Sequence, residues 1–292
     1  MSYKSVLRPD LFAGKNILVT GGGSGIGRCT AHELAALGAH VTVVGRTESR
    51  LEAVAAEIID DGGRADWVVC DIREEALVRD AVQEVLRRVE VLDGLVNNAG
   101  GQFPSPLSGI SQKGFETVVR TNLVGGFLMA REVYSQCMSK RGGAVVNITA
   151  DHWGGMPGMG HSGAARAGMD NFTRTAAVEW ASSGVRVNAV APGWIASSGL
   201  DTYEGPITAI IPKLKESIPL KRMGTESEVS AAICFLLSEG ANFISGANLR
   251  VDGAASLGNG AVWPLMDAQN SVSYNGFHRA KTPKALQAPE AE

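Results

Sequence analysis

Residues 15–37 read KNILVTGGGSGIGRCTAHELAAL, and the order of residue types in this stretch decides the architecture. KNILVT (15–20) is a short apolar run of the kind that forms a buried strand, and Ile26 to Leu37 carries apolar residues at helical spacing. Between them lies TGGGSGIG (20–27). Gly21, Gly25 and Gly27 allow a sharp turn and a close backbone approach, and the free N–H groups at the helix start favour a pyrophosphate. A glycine-rich turn alone says little. After a strand and before a helix it predicts a dinucleotide site, with Ser24 and Ile26 inside the turn.

The same alternation continues outward. HVTVVG (40–45), ADWVVC (65–70), LDGLVN (92–97), GAVVNIT (143–149), VRVNAV (185–190) and ANLRVDG (247–253) read as further strands. Helical patterns at 48–59, 74–89, 111–140, 161–181 and 226–237 separate them. Seven buried strands between helices predict an α/β fold: a single-domain, doubly wound Rossmann-type sheet, mostly parallel, with helices on both faces and ligands at the carboxyl ends of the strands. The dinucleotide-binding catalytic domain then covers 1–257. A Ser-, Gly- and Pro-rich irregular segment at 196–222 sits where a lid would, and 258–292 is a polar C-terminal extension, docked or loose.

Bulk properties narrow the function. In 292 residues, 45% are apolar and 20% charged, the balance of a globular protein. A formal net charge of −3 without a basic block argues against nucleic acid or an anionic membrane as partner. Cys29, Cys70, Cys137 and Cys234 lie far apart and read as buried thiols, and the five histidines have no metal-ligand spacing, so no metal is expected. With no signal peptide, membrane span or S-K-L ending, a cytoplasmic location is the expectation. At the end of the second strand stands Gly45-Arg46-Thr47 in place of an acidic residue. An acid there would bond the ribose hydroxyls of NAD; a guanidinium suits a 2′-phosphate, so NADP(H) is expected, unless Arg46 is only a solvated charge.

TGGGSGIG, CDI (70–72), NNAGG (97–101), TNLVGG (121–126), NIT (147–149) and APGWIAS (191–197) occur in the order and spacing of the short-chain dehydrogenase/reductase superfamily, which residues 12–254 resemble. That resemblance implies that Asp71 and Ile72 meet the adenine and that Asn98, Ala99 and Gly100 line the adenosine ribose. It also implies that Asn122 positions a water and that Pro192, Gly193, Ile195 and Ser197 surround the nicotinamide carboxamide. It further implies a serine at the end of the fifth strand, then Y-x-x-x-K at the head of the next helix. Here the order differs. GHSGAARAGM (160–169) puts Ser162 at the tyrosine and Arg166 at the lysine, and Thr149 or Ala150 takes the serine place. None of Tyr3, Tyr134, Tyr203 or Tyr274 precedes a lysine by four residues.

AGGQFPSP (99–106) with HSGAARAG (161–168) looks most like peroxisomal trans-2-enoyl-CoA reductase, with 2,4-dienoyl-CoA reductases close behind. The chemistry agrees with the residues. Reducing a ketone needs an acid at oxygen, and a serine hydroxyl is a poor one. Hydride addition to the β-carbon of an enoyl thioester leaves an enolate, whose oxygen needs hydrogen-bond donors instead. Ser162 and Gln102 would donate, Arg166 would hold the ribose and supply a fixed charge, and His152 or His161 would stand near. Lys213, Lys215, Lys221 and Arg222 are candidates for the phosphates of coenzyme A, with Glu216 counting against them. The expected function is therefore NADPH-dependent reduction of a trans-2-enoyl-CoA or related activated alkene. An alcohol or carbonyl oxidoreductase using a histidine acid, and a catalytically silent NADP-binding protein, are the alternatives. The resemblance also implies a homotetramer or homodimer acting on a small molecule.

Overall fold

The computed structural model describes residues 2–258 and 264–287. Its strands are β1 (Asn16–Thr20), β2 (His40–Gly45), β3 (Arg64–Val69), β4 (Gly94–Asn97), β5 (Gly143–Ile148) and β6 (Val185–Pro192). The short β7 (Ile195–Ala196) and β8 (Gly224–Thr225) follow, and β9 (Asn248–Val251) is the last. Seven of them form one parallel sheet in the order β3-β2-β1-β4-β5-β6-β9. Val- and Ile-rich strands in the middle of such a sheet are covered on both faces, and β1, β2, β4 and β5 are buried almost throughout.

Two helical layers do the covering. On one face α1 (Gly25–Ala36), α2 (Glu48–Asp60) and α8 (Glu226–Leu237) pack through Leu34, Val54, Ile58 and Val229. On the other, α3 (Glu75–Val89), α5 (Gly125–Val133) and α7 (Gly160–Glu179) contribute Val78, Val82, Met129, Val133 and Ala176. The strand order reverses between β1 and β4, and the glycine turn lies at the carboxyl end of that pair. A doubly wound sheet opens its crevice there.

The fold expected from the sequence is present, with two differences. The single helix expected over 111–140 is interrupted: α4 (Gln112–Val119) runs into a π-helical turn (Arg120–Val124), then α5, a second π turn (Tyr134–Met138) and α6 (Ser139–Arg141). The segment 196–222 is not featureless. It holds three 3-10 turns (Ser198–Thr202, Gly205–Ala209, Ile211–Ser217) hung between β7 and β8, which pair in parallel as a small second sheet. Ile211 and Ile218 are buried and anchor it.

Described tail residues lie against α1, α2 and the lid. Phe277 is buried beside Tyr3 and His32, with the Arg28 guanidinium 4.9 Å from its ring centre. Arg279 bridges to Asp61, and the Lys284 backbone N–H donates to Asp201 of the lid at 2.7 Å. Among the described residues, no helix is long and apolar enough to cross a membrane.

Candidate active site

At two glycines of the turn the chain leaves no room for a side chain. Gly21 has φ +65°, and a Cβ there would lie 2.8 Å from Ala99 Cα. A Cβ on Gly27 would overlap Asn98 Nδ2 and the Gly21 carbonyl. Asn98 therefore serves the turn itself: its Nδ2 donates to Thr20 O at 3.0 Å, and the Asn98 and Ala99 N–H groups donate to Thr20 Oγ1. Its side chain thus faces β1 rather than lining the cleft. The open backbone of residues 21–27 at the start of α1 is a cradle for a pyrophosphate.

Beside the turn, a cleft of about 160 Å³ is lined by Gly21, Ser24, Arg46, Asp71, Ile72, Ala99 and Gly100, among others. Arg50 and Arg73 line it too, which the sequence reading missed. The third residue of α2 and one two positions past Asp71 share no motif, so only the fold brings them beside Arg46. Asp71 binds the Arg73 guanidinium with both oxygens, and that hydrogen bonding holds its carboxyl below the usual range. Arg46 itself is exposed.

The other end of the crevice is built from side chains. Arg166, on α7, is 9% exposed. It donates through Nη1 to the Ile148 carbonyl, its Nε has no partner, and no carboxylate pairs with it among the described residues. Burial pushes its pKa down to about 10, opposed by the nearby Tyr203. The guanidinium reaches under the loop after β4, where a Cβ on Gly100 would sit 2.5 Å from Nη2. Asn122, turned inward by the first π turn, is tied to Gly101: Oδ1 accepts from its N–H at 2.8 Å and Nδ2 donates to its carbonyl at 3.0 Å. Ser162 Oγ donates to Gln102 Oε1 at 2.6 Å, and Gln102 Nε2 donates to Tyr203 Oη at 2.9 Å. The lid thus supplies a phenol to the site. No spacing in the sequence signals it.

Other expected residues fall around this centre. Thr149 points the other way, donating to Val190 O with Asn248 beside it. His152 stacks on Trp153 and has Nε2 3.8 Å from Asp170, away from Ser162. His161 is buried, accepts from the Ser162 N–H at Nδ1 and meets the Phe103 ring edge-on. Pro192 ends β6. Gly193 lies against Asp252, Ile195 packs under Gly224 in β7, and Ser197 comes within 4.0 Å of a Cβ placed on Gly25. Of the lid cations, Arg222 is engaged elsewhere: it grips the Glu228 carboxylate and the Val272 carbonyl, and Lys221 Nζ bonds the Glu216 carbonyl. Holding α8 and the tail is a different task from meeting coenzyme A.

A parallel sheet with a glycine turn at its switch point, a helix carrying a buried cation and an inward asparagine define a nicotinamide-dinucleotide oxidoreductase of the short-chain type. The glycine cradle and the unpartnered Arg166 Nε fit such a cofactor. The chain belongs to the short-chain dehydrogenase/reductase family: the family model described as enoyl-(acyl carrier protein) reductase matches residues 21–256. A probable 2,4-dienoyl-CoA reductase of Bacillus subtilis is 36% identical over 82% of this chain and 95% of its own. A glucose 1-dehydrogenase of Gluconobacter oxydans is 38% identical over 85% of this chain and 94% of its own. Among solved structures, a citronellol catabolism dehydrogenase of Pseudomonas aeruginosa PAO1 is 65% identical, with a TM-score of 0.79, over 87% of this chain and 100% of that one.

Proposed function

We propose that the protein reduces the conjugated carbon–carbon double bond of an acyl thioester, a 2-enoyl- or 2,4-dienoyl-CoA, using NADPH. The observation that carries this reading is Arg166, a buried cation whose Nε has no partner and with which no carboxylate pairs among the described residues. Such a charge is costly unless something negative or oxygen-rich visits. A bound dinucleotide supplies the hydride. Electrons displaced from the alkene then collect on the thioester oxygen, and a guanidinium that stays charged at neutral pH stabilises them without giving up a proton. Asn122 keeps the Gly100–Gly101 loop in place above Arg166. Exposed Phe103 and Leu107, next to His161 and Gly160 at the head of α7, offer an apolar rim for an acyl chain.

The cofactor form is supported by Arg46, Arg50 and Arg73 around one cleft, where a 2′-phosphate gains cations and the Asp71 carboxylate lining it is already paired with Arg73. The substrate class is supported by the probable 2,4-dienoyl-CoA reductase of Bacillus subtilis, 36% identical over 82% of this chain. Self-association into a homodimer or homotetramer belongs to the same proposal, with Phe127 and Val178 exposed on α5 and α7 as its support.

A second reading, reversible alcohol or carbonyl oxidation, is favoured by the phenol of Tyr203 and by the 65% identical dehydrogenase. Following NADPH oxidation with crotonyl-CoA, hexadienoyl-CoA, simple aldehydes and ketones, and NADP+ reduction with citronellol, separates the two. Turnover of the thioesters alone is expected. Turnover of carbonyls or alcohols alone sinks the alkene reading, and tight NADPH binding with no turnover anywhere would leave a silent binding protein.

A further inference from the structure

The hydrogen-bonded chain Ser162–Gln102–Tyr203 has a direction. The Ser162 hydroxyl spends its proton on the Gln102 carbonyl oxygen, and the Gln102 amide spends one on Tyr203 Oη. Tyr203 Oη is thus an acceptor within the chain, and its own proton has no acceptor among the described residues. Every hydroxyl ahead of it is committed. The uncommitted proton sits on a half-buried phenol, carried over the crevice by the lid between the turns Ser198–Thr202 and Gly205–Ala209.

Three segments distant in sequence converge here: the loop after β4 at Gln102, the head of α7 at Ser162 and the lid at Tyr203. Tyr203 also raises the Arg166 pKa against the effect of burial, which places phenol and guanidinium within electrostatic reach. A phenol and a cation thus come together beside the head of α7, the cation (Arg166) from the expected lysine position and the phenol from the lid rather than from position 162. The lid end is itself held, since Asp201, two residues earlier, accepts from the Lys284 backbone of the tail.

We propose that Tyr203 is the proton donor of this active site, brought to the substrate by the lid. The proposal rests on the thioester reading. The substrate gains a hydride at its distal alkene carbon, and the π electrons move until the thioester carries a C=C–O⁻ enolate. The Tyr203 O–H bond then breaks as a C–H bond forms at the α-carbon. The phenolate, beside Arg166, recovers a proton from water, so a turnover consumes one hydride and one solvent proton. Ser162 and Gln102 are positioning residues: they orient the phenol oxygen by a bond that leaves its proton free.

The test compares Tyr203→Phe with Ser162→Ala in the full chain, on whichever substrate the unmodified protein turns over. Tyr203→Phe should lower kcat about a hundredfold or more, the usual range for removing a general acid, with the NADPH dissociation constant unchanged. It should also change the solvent deuterium isotope effect on kcat, because protonation of the α-carbon then falls to water. Ser162→Ala should cost about tenfold and keep that isotope effect. A readout free of turnover is crotonyl-CoA binding to NADP+-saturated protein, which Tyr203→Phe should weaken and Ser162→Ala should leave within twofold. Tyr203→Phe with kcat and binding near those of the unmodified protein, or the two variants exchanging their effects, overturns the proposal. Turnover confined to carbonyls or alcohols overturns the thioester reading, while the same two variants still decide whether Tyr203 gives the proton.

Discussion

The two ends of the crevice recognise their ligands by opposite means. At the glycine turn, Gly21, Gly25 and Gly27 bring bare backbone to the ligand, and Asn98 and Thr20 only brace it. Around Arg166, side chains from α7, the π turn, the loop after β4 and the lid do the work, and the backbone is a frame. At Gly21 and Gly27 the first end cannot accept an added atom, and it meets a pyrophosphate with backbone rather than with side-chain groups. The second has room to exchange residues and is sensitive to which group is present. That difference explains how a family pattern can be intact at one end and rewritten at the other.

The largest effect should come from breaking the turn. Gly27→Ala places a methyl group into Asn98 and the Gly21 carbonyl, so the turn must open. NADPH affinity should fall about a thousandfold, about 4 kcal/mol, in a calorimetric titration. Binding within tenfold of the unmodified protein would mean that this end yields despite the close contacts at Gly27. Arg166→Leu should separate the two ends. It removes the donor for an oxyanion, and kcat/KM should drop about a hundredfold. Because an unpaired buried charge is removed, the melting temperature should stay level or rise. A lower melting temperature with turnover intact would make Arg166 a packing residue. The smallest effect belongs to exposed Arg46. Arg46→Ala should reduce the preference for NADPH over NADH about tenfold, or about 1.4 kcal/mol, and weaken its dependence on salt. An unchanged cofactor ratio would mean that Arg46 does not select the cofactor form.

The sequence carried most of the architecture because each strand and helix announces itself locally. Val41, Val43 and Val44 fit a strand covered on both faces, and Glu48–Asp60 repeats its apolar residues at helical spacing. The cofactor end was legible for the same reason, since its chemistry lies in contiguous glycines. The catalytic end was legible only as a departure: Ser162 and Arg166 stand out, while what replaces the expected phenol does not. Tyr203 meets Gln102 across 101 residues, a separation that no local period encodes. Arg222 shows the converse error. It reads as a phosphate candidate alongside three lysines, but its partner Glu228 lies past a turn, in the capping box of α8. The β7–β8 pair, two residues on each side, is too short to leave a pattern.

The π turn at Arg120–Val124 amounts to one residue more than an α-helix would hold. Without it, everything on one side would shift in phase by about 100°, the angle between successive helical residues. The helix has two obligations on either side of that point. Asn122 must look into the crevice, and Leu128, Met129 and Val133 must look into the core. A uniform helix has a single phase and this one needs two. The extra residue is therefore a gear change, and insertions or deletions that are harmless in a surface loop would mis-time the site when placed between Val119 and Gly125.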